Sequence, residues 1–133
     1  MSIIKDLYDI GKDLLGLADN IKQQKFEKRK AVAEVLKDIG DVLEDTYQKL
    51  SNNQYPGGNC QQLEVFSNHL YTKLKEVTDD ATAQRIYNKL IQSHKVESLM
   101  AELDSNQINN DDLRELAKAS GYFIASARMM SIP

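Results

Sequence analysis

The side chains able to do chemistry in this chain are few, and their spacing limits what each can do. Cys60 is the only cysteine, and His69 and His94 are the only histidines. A cysteine nucleophile needs a base beside it to form its thiolate. His69 follows Cys60 by nine residues, which at about 100° per residue puts the two on opposite faces of a helix. His94 reaches Cys60 only through the fold. Cys60 also falls on an apolar stripe, where cysteine serves as a small buried hydrophobe. It is read as core packing. A lone cysteine also forms no internal disulfide and no multi-cysteine zinc or iron–sulfur centre.

Metal centres in helical bundles draw on Glu-x-x-His pairs and inward-facing carboxylates. Neither that pair nor His-Glu-x-x-His occurs in the sequence. Asp104, Asn106, Asp112 and Glu115 fit four positions of a calcium-binding loop. However, Ile108 stands where an oxygen ligand is required and Asn109 where the loop needs glycine. A capped connection between two helices explains those residues better. Gly57-Gly58 lacks the Gly-Lys-Ser/Thr that completes a phosphate loop, and reads as a turn. Tyr8, Tyr47, Tyr71 and Tyr87, with His69 and His94, are the only polar wall available to a ligand pocket. No catalytic residue, metal or cofactor is expected, and the chain is read as non-enzymatic.

Two surfaces could serve binding instead. Lys22, Lys25, Lys28, Arg29 and Lys30, interrupted by Glu27, carry a net +4 within nine residues and leave −7 on the rest of the chain. Their bland reading is a solvated hinge. Their sharper reading is a patch for an acidic partner or acidic lipid headgroups. Nucleic acid is disfavoured, because the cluster holds one aromatic, Phe26, where stacking would need several. The second surface is the sparsely charged C-terminal stretch. Packing against the bundle explains it most simply; otherwise Tyr122, Met129, Met130 and Ile132 form an apolar face suited to a partner's groove.

The elements that must position these residues are helices. Ile3, Leu7, Ile10, Leu14, Leu17 and Ile21 recur at alternating steps of four and three, the stripe of an amphipathic helix. Gly11 and Gly16 lower its intrinsic propensity by about 1 kcal/mol each relative to alanine, as at points of close helix approach. A second stripe runs Val32, Leu36, Ile39, Leu43, Thr46 and Leu50, and ends before Tyr55-Pro56-Gly57-Gly58. The two stripes stay in phase across residues 22–31. An unbroken helix of about 50 residues would be roughly 75 Å long, against a radius of gyration of about 14 Å for a compact domain. A turn near residues 22–26 is favoured, with one long helix in an intertwined dimer as the alternative.

Asn59, with Gln62 three residues on, is the expected cap of a third helix carrying Cys60, Leu63, Phe66, Leu70, Leu74 and Val77. Thr78 before Asp79 and Asp80 predicts the cap of a fourth, lined by Ala83, Ile86, Tyr87, Leu90 and Ile91. The phase shifts at residues 93–95 before Val96, Leu99, Met100 and Leu103 resume it. A loop over residues 104–110 leads to a last helix with Leu113, Leu116, Ala117, Ser120, Phe123, Ile124, Ala127 and Met130. No strand alternation and no internal repeat are present. The fold class is all-α, a compact antiparallel bundle of four to five amphipathic helices spanning residues 1–133 as one domain.

Composition agrees. The 133 residues are 41% hydrophobic and 28% charged, enough apolar material for one core. A net charge of −3 is a poor match to a DNA-binding domain. Lys5, Asp6 and Asp9 interrupt any secretory h-region, and a soluble cytoplasmic protein is expected. The leading functional expectation is a non-catalytic regulator, adaptor or assembly domain acting through a protein partner or a homo-oligomer. The alternative is a membrane-engaging bundle, peripheral to the bilayer, using its apolar first helix and basic cluster on acidic lipid. A small-ligand-binding bundle ranks behind both.

Overall fold

The computed structural model describes residues 3–91 and 110–133. Five helices occupy them: α1 (Ile3–Asn20), α2 (Phe26–Ser51), α3 (Asn59–Leu74), α4 (Asp80–Ile91) and α5 (Asn110–Met130). The expected phase shift at residues 93–95, the stripe from Val96 to Leu103, the loop from Asp104 and His94 lie outside the described residues.

The chain turns between α1 and α2. Lys25 adopts extended backbone at φ −57° and ψ 139°, which ends any continuous helix. The favoured turn is therefore the observed one. α2 stops in a Schellman motif. Asn53 takes a left-handed φ of 56°, while Gln54 N–H donates to Lys49 O and Asn53 N–H to Leu50 O.

The helices close into a ring in the order α1–α5–α2–α3–α4, with α4 returning to α1. The C-terminal helix is thus inserted between the first two, which pack on α5 rather than along each other. α5 runs antiparallel to α2: Arg29 meets Met130 and Ile132 at one end, and Gly40 meets Ser120 farther along. The apolar stripes fill the ring. Ile4, Ile10, Leu14, Leu36, Ile39, Leu43, Leu70, Leu74, Ile86, Leu116, Phe123 and Met130 are all fully buried.

Two glycines set how closely α5 approaches its neighbours. A Cβ on Gly11 of α1 would lie 2.9 Å from the Tyr122 Cβ. One on Gly40 of α2 would lie 2.5 Å from the Ile124 Cδ1. Gly16 faces nothing within 4 Å, so its presence has no packing reason here.

Two expected caps are corrected. Asn59 is the first residue of α3, and its side chain turns inward to α2 instead of capping its own helix. Nδ2 donates to Thr46 Oγ1 at 2.6 Å and Asp45 Oδ2 at 3.1 Å, while Oδ1 accepts from Lys49 Nζ at 3.3 Å. A buried amide needs partners on both of its polar atoms, and α2 supplies them. At α4 the cap is Asp79 rather than Thr78: Asp79 Oδ1 accepts the Thr82 backbone N–H at 2.7 Å. That bond, foremost among its causes, holds the Asp79 carboxyl below its usual 3.8.

Candidate functional site

The basic cluster divides in the folded chain. Lys22, Lys25, Lys28 and Lys30 are exposed around the α1–α2 turn and the first turn of α2. Lys22 pairs with Asp19 at 2.6 Å. Arg29 is only 8% exposed and leaves the patch. Its Nε donates to Gln24 O at 3.0 Å, and its Nη1 donates to Ile132 O at 2.7 Å and Met130 O at 3.4 Å. The last carbonyls of a helix have no intrahelical donors and carry partial negative charge. Arg29 supplies donors to Met130 O at the end of α5 and Ile132 O just beyond it, and so ties that end to the first turn of α2. It is a structural clamp, not a member of the acidic-partner or lipid patch.

The C-terminal stretch packs inward, as favoured, and the alternative apolar face does not form as a surface. Met130 is fully buried in the core, a correction already latent in the sequence, since it continues the stripe of Leu116, Ser120, Phe123 and Ala127. Met129 is half-buried and packs against the core. Tyr122 is also half-buried, edge-on to Tyr8 with ring centroids 5.5 Å apart. Of the four, Ile132 alone is open to solvent, at 62% exposure. Phe26, 36% exposed, stands across the same clamp, with the Arg29 guanidinium 5.7 Å from its ring centre.

The residues weighed for catalysis or ligand binding are scattered. On α3, Cys60 is buried and His69 exposed, as their half-turn separation requires. Tyr8 joins Tyr122, whereas Tyr71 and Tyr87 stack at 4.9 Å on the α3–α4 hairpin. Tyr71 OH donates to Gln84 Oε1 and Tyr87 OH to Asn68 Oδ1. Desolvation, followed by the nearby Asp80 carboxylate, pushes the Tyr71 phenol up. Tyr8 and the Tyr71–Tyr87 pair are thus engaged with different partners on different helices. The core cavity bounded by Ile4, Val42, Asn59, Cys60, Leu63 and Leu116 measures about 10 Å³, room for about one water molecule. Asp112 and Glu115, assigned to a calcium loop in one reading, lie within α5. No group of three or more metal-binding side chains assembles among the described residues.

One wide concavity among the described residues was not anticipated from sequence. A groove of about 610 Å³ runs between α2 and α5, with Ala117, Gly121, Ile124 and Ala125 along its α5 side. Lys37, Asp41 and Glu44 of α2 and Arg128 of α5 form its rim. Lys37, Asp41 and Arg128 make no ion pair with another described residue. Because α2 and α5 are antiparallel, Lys37 and Arg128 share one end of the groove and Glu44 stands at the other. The signal in the sequence is the spacing of four between Ala117, Gly121 and Ala125, which sets small side chains along one helix face.

Among the described residues no helix is long and apolar enough to cross a membrane. No protein-family model, no curated protein and no solved structure matches the chain.

Proposed function

We propose that this chain is a non-catalytic interaction module, a regulator, adaptor or assembly domain, that holds a protein partner in the α2–α5 groove. The groove itself is the observation that carries the reading. Its small side chains let a partner helix approach closely, and its rim charges are available for intermolecular pairing. A second copy of the chain is the partner its charges favour. Turned end for end about Gly121, the second copy brings Arg128 to Glu44 of the first, and the two-fold repeats the pair. The single thiol fits a protein of the cytoplasm.

Sedimentation across a concentration series tests this. The expected species is a dimer that weakens with salt, is lost in Arg128→Glu, and returns in Arg128→Glu/Glu44→Arg. A chain that stays monomeric at every concentration overturns self-association. A dimer indifferent to Gly121→Lys places the contact elsewhere. Release of α1 onto a membrane gains no support from the fold, since Ile4, Leu7, Ile10 and Leu14 are held in the core.

A further inference from the structure

Among the described residues, the end of the bundle at the Arg29 clamp combines exposed apolar and basic side chains. Of four large apolar side chains exposed among the described residues, two stand here, Phe26 and Ile132. Phe26 opens α2 and Ile132 lies just beyond α5, and Arg29 contacts both, through the Phe26 ring and the Ile132 carbonyl. Exposed Lys22, Lys25, Lys28 and Lys30 occupy the same turn and the adjoining first turn of α2. Within residues 19–30 the acidic side chains are Asp19 and Glu27, and Asp19 pairs with Lys22. The N-terminus of α2 adds its own partial positive charge. The negative C-terminus of α5 is answered by Arg29.

We propose that this end docks on an anionic lipid surface, the lysines meeting headgroups while Phe26 and Ile132 enter the interfacial layer. Lysine charge and a small apolar insertion are each weak alone and hold a protein to a membrane together. Charge complementarity selects the anionic bilayer. The apolar pair selects a bilayer over a purely acidic partner, because a phosphate or carboxylate ligand has no use for an exposed isoleucine. The site is separate from the α2–α5 groove, so this inference and the proposed dimer fail independently.

The test is co-flotation of the full chain with vesicles of phosphatidylcholine alone or with phosphatidylserine, at low and physiological salt. Binding is expected only to the phosphatidylserine vesicles and is expected to weaken with salt. Lys22→Glu/Lys25→Glu/Lys28→Glu should lower it by at least about tenfold, since each lysine near such a surface contributes about fivefold in affinity. Phe26→Ser/Ile132→Ser should weaken it several-fold while leaving the salt dependence in place. Helicity by circular dichroism should stay unchanged in both variants, because every substituted side chain is exposed. Absence of wild-type flotation, or flotation unaffected by the lysine reversals, overturns the proposal. So does binding that ignores Phe26→Ser/Ile132→Ser and is competed away by polyglutamate, which would assign the patch to an acidic protein.

Discussion

Arg29 and Ile132 are separated by 103 residues in sequence, yet the guanidinium Nη1 of the first donates to the carbonyl of the second at 2.7 Å. This one bond joins the start of α2 to the residues just beyond α5, at the place where α5 is wedged between α1 and α2.

Replacing the clamp should therefore weaken the whole fold. Hydrogen bonds to a charged group are worth about 1.5–3 kcal/mol, and Arg29→Met is expected to cost about 2–3 kcal/mol in urea unfolding. Lys25→Glu, four residues away and exposed, should stay within about 0.5 kcal/mol. Ending the chain at Ser131 removes the Ile132 acceptor, so truncation and Arg29→Met together should cost less than their sum. Additive costs would show that the Arg29–Ile132 bond contributes nothing to stability.

The two C-terminal apolar residues should separate just as clearly. Met130→Ala, in the closed core, is expected to cost about 2–5 kcal/mol. Ile132→Ser keeps its carbonyl and loses only an exposed side chain, so a change within about 0.5 kcal/mol is expected. Equal costs would contradict the burial assigned to these positions.

Gly11 and Gly16 share α1 but not an environment. Gly16→Ala, facing open space, should stabilise the protein by about 0.5–1 kcal/mol through helix propensity. Gly11→Ala pushes a methyl against the Tyr122 Cβ, an atom with little freedom to move, and should destabilise by about 1–3 kcal/mol. Denaturation midpoints of the two single variants, at unchanged slope, check the sign of each.

Acid stability should follow the lowered carboxyls. Hydrogen bonds hold Asp79 down, chiefly from the Thr82 backbone, and Asp45 down, chiefly from Lys49 and then Asn59. A depressed folded value means the stabilisation is fully present above the unfolded value of 3.8 and is lost as pH falls through the folded one. Asp79→Ala should thus lower the midpoint at pH 7, with the gap to wild type closing below pH 3.8. Asn59→Ala is expected to cost about 1–3 kcal/mol, most of it independent of pH because its shortest bond is to the neutral Thr46 hydroxyl.

Much of this molecule is local and therefore legible in its sequence. The step of three and four between Leu7, Ile10, Leu14 and Leu17 specifies a helix and its buried face, whatever that face is packed against. The same holds for Leu36, Ile39 and Leu43, and for the stripe that carries Met130 inward. The half-turn between Cys60 and His69 likewise needed no coordinates. What only the tertiary structure decided is which stripe meets which. Periodicity says that α1, α2 and α5 each have an apolar side, but not that α5 enters between the other two. That insertion turns Arg29 from a patch residue into the partner of two distant carbonyls. It also makes Gly11 and Gly40 points of contact while leaving Gly16 open. It opens the α2–α5 groove and brings Phe26 and Ile132 to the same Arg29 side chain. Each of these depends on pairings between residues far apart in sequence, whose free energies belong to the assembled ring rather than to any one helix.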